Sequence, residues 1–135
     1  MLVAKINSRT KGASAEREVI GLIEDHLGVR CKRNLMQTAD GGHDLIGLDG
    51  WAVEVKRYKS ATPAVKEGWW QQAVRQAKDV GQKPVVLYRL DRSYWRALIE
   101  VPGSYFDQED FRCVADIDAE LFFAIAREDL LSEET

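Results

Sequence analysis

Apolar residues recur at helical spacing in three segments of the chain. The first segment runs from Lys11 to about Leu27, the second from Pro63 to about Val80, and the third lies near Asp118–Leu131. Thr62 is a favoured N-cap residue, and a glycine follows each of the first two segments as a C-cap. We therefore predict three helices. The inward stripe of the first is Val19, Ile20, Ile23 and Leu27. The inward stripe of the second is Val65, Trp69, Ala73, Ala77 and Val80.

Short runs rich in β-branched and aromatic residues predict strands between these helices. The runs are Val29–Met36, Pro84–Arg89 and Tyr94–Val101, and Gly42–Arg57 has the pattern of a β-hairpin that turns at Asp49-Gly50. The predicted order is helix, three strands, helix, two strands, and a tail that holds the third helix.

The register of the hairpin decides which side chains share a face. A two-residue loop would pair Leu45 with Glu54 and put Asp44 on the opposite face. A three-residue loop that ends at a left-handed Gly50 would pair Asp44 directly with Glu54. In that second register Lys56 joins the two carboxylates, because side chains alternate with a period of two. The opposite face of the hairpin is then apolar.

Two carboxylates and an ammonium group on one sheet face indicate a metal-assisted phosphodiester site. Hydrolysis of a phosphodiester needs a divalent cation held by oxygens, an activated water, and positive charge near the reacting phosphorus. Asp44 and Glu54 supply oxygen ligands, and the backbone carbonyl of Val55 is a third. Lys56 can orient the water or stabilise the transition state. The competing interpretation is a solvated hairpin face that carries a cross-strand ion pair.

Two further side chains are candidates for the same site. Glu16 precedes Ile20 by four residues and so continues the inward stripe of the first helix. An acid that complements the helix dipole is the alternative interpretation. Gln72, which with Trp70 flanks the stripe of the second helix, can hydrogen-bond a bound water or phosphate, although Gln71 or Gln76 could serve instead.

Charge along the chain is divided unevenly. The 135 residues carry a net charge of −3, yet residues 1–100 hold 17 Lys and Arg against 12 Asp and Glu, a net of +5. Residues 101–135 hold 2 against 10, a net of −8. A basic body indicates a polyanionic partner. The candidate phosphate contacts are Lys11, Arg17, Arg30, Lys32, Arg33, Arg57, Lys59 and Arg75.

Length and cysteine content limit the class of protein. The chain is long enough for one domain with a real core, and no apolar run approaches the length of a membrane span. Its two cysteines form no disulfide framework or zinc motif, so we expect a cytoplasmic protein.

Three motifs occur along the predicted elements, and they are Lys11-Gly12-x-x-x-Glu16-Arg17, Gly42-x-Asp44 and Glu54-Val55-Lys56. In this element order they resemble the PD-(D/E)XK nuclease superfamily, and within it the archaeal- and phage-type Holliday junction resolvases. The resemblance covers roughly residues 11–101. His43 stands where the family pattern has proline before the aspartate, which is the loosest part of that pattern.

The resemblance implies a restriction-endonuclease-like α/β core, in which a central mixed sheet is flanked by helices, within a single domain (core about 11–101, acidic C-terminal extension about 102–135). It implies a homodimer that uses Mg²⁺, or Mn²⁺ in its place, to make paired nicks in a four-way DNA junction during recombination or repair, in the host cytoplasm if a phage encodes it. Glu16, Asp44 and Glu54 become acidic site residues, Lys56 the catalytic lysine, and Gln72 the helix glutamine.

Three alternatives stay open at this point. The superfamily also holds restriction enzymes, repair nickases and phage replication nucleases, and one active site serves all of them. A non-catalytic DNA-binding domain with the same fold is a rival from another class. Within the extension, Phe106, Phe111 and the Phe122-Phe123 pair could close a dimer face or pack in the core. We expect the extension itself to lie away from the DNA or on the partner subunit, because its charge repels DNA.

Overall fold

The computed structural model describes residues 8–35 and 42–133, which form a six-stranded sheet with three α-helices. In chain order the elements are α1 (Ser8–Leu27), β1 (Lys32–Arg33), β2 (Leu45–Ile46), β3 (Trp51–Tyr58), α2 (Pro63–Val80), β4 (Lys83–Leu90), β5 (Arg96–Glu100), a 3-10 helix (Phe111–Cys113), β6 (Val114–Asp118) and α3 (Ala119–Glu133). The strands are ordered β1-β2-β3-β4-β5-β6. Only β3 and β4 pair in parallel, joined through α2, and the other neighbours are antiparallel. The predicted mixed α/β sheet with flanking helices is confirmed.

Hydrophobic residues cover both faces of the sheet. One face packs against α1 and α3 through side chains such as Val19, Val53 and Phe122, all fully buried. The other face packs against α2, where Trp70 contacts the layer that contains Val86. Alternate residues of β3 therefore face different helices, which separates Val53 and Val55 from Glu54 and Lys56 as the hairpin pattern predicts.

Two glycines shape the hairpin that positions the site. Gly50 has φ 85° at the end of the turn, the left-handed conformation expected for the three-residue loop. Gly47 has φ 115°, and a Cβ there would lie 3.0 Å from the carbonyl oxygen of Arg30. Any larger residue at 47 would therefore push β2 away from the segment that precedes β1.

Several sequence predictions about the elements are wrong in detail. The first predicted strand, Val29–Met36, is ordered as a strand only at Lys32–Arg33 within the described residues, and Met36 lies outside them. The predicted stripe of α2 is wrong at both ends, because Val65 and Val80 are about half exposed. Trp70 does not flank that stripe but is fully buried in the apolar cluster between α2 and the sheet. Its buried indole N–H donates to the Gln108 carbonyl at 2.6 Å.

The C-terminal residues are built into the sheet and the core. β6, which the sequence analysis missed, pairs with β5 along its whole length. Phe122 and Phe123 are buried in the cluster beneath α1, so they do not form an exposed dimer face. Phe106 is partly exposed, and Phe111 packs on the α2 side. β6 thus forms one edge of the sheet, and β4 and β5 separate it from β3.

Two further predictions concern the DNA contact of Lys11 and the lack of a membrane span. The backbone of Lys11 lies in α1, but its side chain is outside the described set, so its predicted DNA contact has no structural account. None of the described helices is long and apolar enough to cross a membrane.

Candidate functional site

The register of the β2–β3 hairpin brings two acidic side chains together. Leu45 lies opposite Val53, and the Asp44 N–H donates to the Val53 carbonyl at 3.0 Å. This is the register of the three-residue loop, so Asp44 lies opposite Glu54. The Val55 N–H donates to Asp44 Oδ2 at 2.7 Å. The carboxyl groups of Asp44 and Glu54 lie close enough for each to affect the pKa of the other.

Lys56 completes this group from the same face of β3. Its Nζ lies 3.7 Å from Glu54 Oε2 and donates to Gln72 Oε1 at 3.1 Å. Gln72 is therefore the α2 glutamine that reaches the lysine. Gln71, half-buried, has no such contact with Lys56 among the described hydrogen bonds, and Gln76 is buried with its Oε1 unpartnered.

Burial controls the protonation of the two carboxyl groups. It is the main cause that raises the pKa of Glu54, to about 8, and the charge of Asp44 adds to this effect. Burial also raises the pKa of Asp44, while the hydrogen bond from the Val55 N–H opposes the rise. The nearby Glu16 carboxylate raises the pKa of Asp44 further. Burial and the proximity of the two carboxyl groups therefore favour retention of one proton by the pair when no cation is present.

The donor set fits a divalent cation. Oε1 of Glu54 is buried and accepts no hydrogen bond from any residue that the structure describes, and the side chain is almost completely enclosed. A cation would supply the missing partner and replace the shared proton. Across residues 8–35 and 42–133 no three His, Cys, Asp or Glu side chains form a complete metal cage. Mg²⁺ does not require one, because it is commonly held by one or two carboxylates with waters and substrate phosphate.

Glu16 lies beside this pair without joining it. It is 8% exposed, and its charge acts on Asp44. Its Oε2 accepts a hydrogen bond from Arg33 Nε, so the arginine on β1 neutralises it. The inward orientation that the sequence predicts for Glu16 is present, and the ion pair with Arg33 had no sequence signal.

Asn34 is a positioning residue that sequence reasoning missed. Its backbone N–H donates to the Asp44 carbonyl at 2.8 Å, and its Nδ2 donates to the His43 carbonyl at 3.0 Å. These two bonds hold the backbone on either side of the first carboxylate. An asparagine next to a strand gives no pattern from which this role could be recognised. His43 is buried, and burial lowers its pKa.

The predicted DNA contacts fall into two groups. Arg30 pairs with Glu24 at 3.3 Å, Arg57 pairs with Asp91 at 2.7 Å, and Arg33 is occupied as described above. Each of these arginines therefore already has a carboxylate partner. The others with described side chains are exposed, and they are Arg17, Lys32, Lys59 and Arg75.

The chain is similar in sequence to a phage protein. It is 26% identical over 110 residues to Protein D14 of Escherichia phage T5, an alignment that covers 67% of this chain and 69% of the relative. The structure is also similar to Hjc, a Holliday junction resolvase from Archaeoglobus fulgidus, with a TM-score of 0.48 and 20% identity. That alignment covers 83% of this chain and 87% of the other, and at this level it identifies neither substrate nor assembly.

The family match extends over most of the chain. Residues 7–117 match the family described as "Phage putative PDDEXK endonuclease". The matched range contains the hairpin, both predicted site helices and the sheet from β1 to β5. The chain therefore belongs to this phage PDDEXK endonuclease family.

Proposed function

We propose that this chain is a divalent-metal-dependent endonuclease of branched DNA, and specifically a Holliday junction resolvase that makes paired, symmetric nicks. The observation that supports the chemistry is the buried Glu54 next to the half-buried Asp44, with a Glu54 Oε1 that has no partner among the described residues and with Lys56 beside it. Two carboxyl groups enclosed at one point destabilise a fold unless something compensates them. A bound cation provides that compensation and gives the arrangement a purpose.

Asp44, Glu54 and the backbone carbonyl of Val55 would hold the cation, and Glu16 is a further candidate ligand. Mg²⁺ fits these hard oxygen donors, and Mn²⁺ would substitute. PD-(D/E)XK nucleases generally use divalent metals. When bound, the cation lowers the pKa of a water and offsets charge on the phosphate.

Lys56 would act on the attacking water or on the charge that develops at phosphorus. Gln72 fixes the position of its ammonium group through the 3.1 Å hydrogen bond. Water attacks the phosphorus, the bond to one bridging oxygen breaks, and the departing oxygen takes up a proton. Because Lys56 also lies 3.7 Å from Glu54, its position is set from both sides.

Recognition of DNA would rest on phosphates and shape. The exposed cations offer sequence-independent contacts. Arg33 and Arg57 could exchange their carboxylate partners for phosphate oxygens. Such contacts suit a substrate that is defined by its branching and not by its base sequence.

A homodimer would explain the junction preference that we propose. A four-way junction has two-fold symmetry, and two sites related by a dimer axis can cut it at equivalent positions. A monomer would leave single nicks, as a structure-specific nickase does.

A cleavage assay with three labelled substrates tests the proposal. The wild-type protein is incubated with Mg²⁺ and a four-way junction, a linear duplex or a flap of matched sequence, and Asp44→Asn is the inactive control. Symmetric nicks in the junction alone support the resolvase function. Equal cutting of all three substrates would leave an endonuclease but remove the junction specificity. No cutting with Mg²⁺ or Mn²⁺ would favour a non-catalytic binding domain.

A further inference from the structure

An exposed aromatic ring stands next to the catalytic group. Tyr58 is the last residue of β3 and lies two residues beyond Lys56, so both side chains emerge from the same face of the strand. Two residues of strand span roughly 7 Å. Tyr58 is 44% exposed, whereas the side chains that precede it on this face are largely buried.

The ring is supported from below by two others. The Tyr58 and Trp69 ring centroids are 5.1 Å apart at an interplanar angle of 34°, and Trp69 lies 5.6 Å from the Tyr88 ring. Trp69 and Tyr88 are 6% and 2% exposed. Tyr58 is therefore the outermost ring of a buried aromatic series, with part of its surface open to solvent.

The backbone beneath the ring is also fixed. Arg57 Nη1 donates to the Tyr58 carbonyl at 2.9 Å and to Asp91 Oδ1 at 2.7 Å. The Asp91 N–H donates to the Lys59 carbonyl at 3.2 Å, which ties the ends of β3 and β4 together. A ring that is ordered in advance loses little conformational entropy when a ligand stacks on it.

A flat exposed ring among cations, beside a phosphodiester site, has the chemistry that binds an unstacked nucleobase. We propose that Tyr58 forms the floor of a subsite for a base that is unpaired or unstacked at the branch point of the DNA. This inference rests on the proposed function. A continuous duplex keeps its bases stacked and offers no free base face, so the subsite would favour branched over linear DNA.

The competing role for Tyr58 is to shield Trp69 from water. A leucine would also shield Trp69 but has no flat π surface, whereas phenylalanine keeps that surface without the hydroxyl group. Tyr58→Leu and Tyr58→Phe therefore separate the two roles. Tyr105→Leu is the matched control, because Tyr105 is fully exposed in the connection that follows β5.

The test measures equilibrium binding by fluorescence anisotropy in EDTA, where no hydrolysis occurs. We expect Tyr58→Leu to weaken junction binding about 5- to 150-fold, the range for loss of one stacked base, with little change for duplex. Tyr58→Phe and Tyr105→Leu should bind as the wild type does. Removing the base at the branch point should weaken junction binding by the wild type to a similar extent. It should leave the affinity of Tyr58→Leu unchanged, because the substitution and the base removal abolish the same interaction.

The inference is overturned if Tyr58→Leu binds the junction like the wild type, or if its affinity for duplex falls equally. It is also overturned if removal of the base weakens both proteins by the same factor. If the wild type cuts junctions and Tyr58→Leu binds them with wild-type affinity, the subsite is contradicted and the resolvase proposal is retained. If binding depends on the Tyr58 ring but the wild type cuts no substrate, the subsite is retained and the resolvase proposal is contradicted. A wild type that does not bind the junction would contradict both.

Discussion

Lys56 Nζ donates to Gln72 Oε1 at 3.1 Å, and this bond connects the face of β3 that carries the carboxylates to the middle of α2. The same ammonium group lies 3.7 Å from Glu54 Oε2. The lysine is thus held between a neutral acceptor and an acidic one, so its direction depends on α2 as much as on its own strand.

Gln72→Ala should lower kcat and change KM little, because Lys56 loses the partner that orients it. Removal of a partner that orients a site group typically reduces activity about 10- to 100-fold. Steady-state cleavage of the preferred substrate measures the effect. Gln71→Ala, at the neighbouring position on α2, should behave as the wild type. A Gln72→Ala enzyme with full kcat would show that Lys56 needs no support from α2.

The contribution of Glu54 to the stability of the metal-free protein should fall as pH rises from about 4.5 to about 8. Burial raises the pKa of Glu54 to about 8 in the folded state, whereas the unfolded chain ionises near the ordinary glutamate pKa of 4.5. Within this window the folded state binds more protons, so the free energy of unfolding decreases with pH. Chemical denaturation in EDTA at several pH values measures the slope.

Glu54→Gln should flatten this pH dependence, because the amide does not titrate. Glu67→Gln, at an exposed position of α2, should keep the wild-type slope. If the wild type and Glu54→Gln have equal slopes, the carboxyl group of Glu54 is not held protonated.

The site was predictable from the sequence where its geometry is local. Asp44, Glu54 and Lys56 lie on one hairpin, so strand alternation reduces their arrangement to two possible registers, and the structure has the register of the three-residue loop that puts them on one face. Glu16 could be oriented because its own helix has a clear apolar stripe. The fold around these residues followed from helix caps and β-branched runs.

The missed features depend on contacts between distant segments. β6 contains Asp116 and Asp118, which resemble a solvated acidic tail. Asp116 instead accepts a hydrogen bond from Tyr88 of β4 at 2.6 Å and one from Arg96 of β5 at 2.8 Å. The Glu16–Arg33 ion pair likewise joins residues 17 positions apart. No local pattern reports such pairings.

Truncation of Phe122 should destabilise the whole domain, because its ring is fully buried between α3 and the sheet and meets Trp51 edge-on at 5.0 Å. Phe122→Ala is expected to reduce the free energy of unfolding by about 3–5 kcal/mol. Leu121→Ala, at a neighbouring position that is 53% exposed, should have a small effect. If urea denaturation shows equally small losses of unfolding free energy for Phe122→Ala and Leu121→Ala, the acidic segment is dispensable for folding.

Divalent cations should raise the melting temperature of the wild type but not that of Asp44→Asn. A ligand at 100 times its Kd stabilises the folded state by about 2.7 kcal/mol. Asp79→Asn, at an exposed acid near the end of α2, should retain the full response. A shift of the same size in Asp44→Asn would place the cation elsewhere on the protein.

The most direct test of the central claim is single-turnover cleavage of a DNA junction by the wild type and Glu54→Gln, each with Mg²⁺ and with EDTA. The account predicts cleavage only by the wild type with Mg²⁺, and a rate for Glu54→Gln that is lower by at least about 10²-fold, since a metal supplies several kcal/mol of transition-state stabilisation. Glu67→Gln should cut at the wild-type rate. Cleavage by Glu54→Gln at that same rate, or cleavage by the wild type in EDTA, would contradict a metal site built on Asp44 and Glu54.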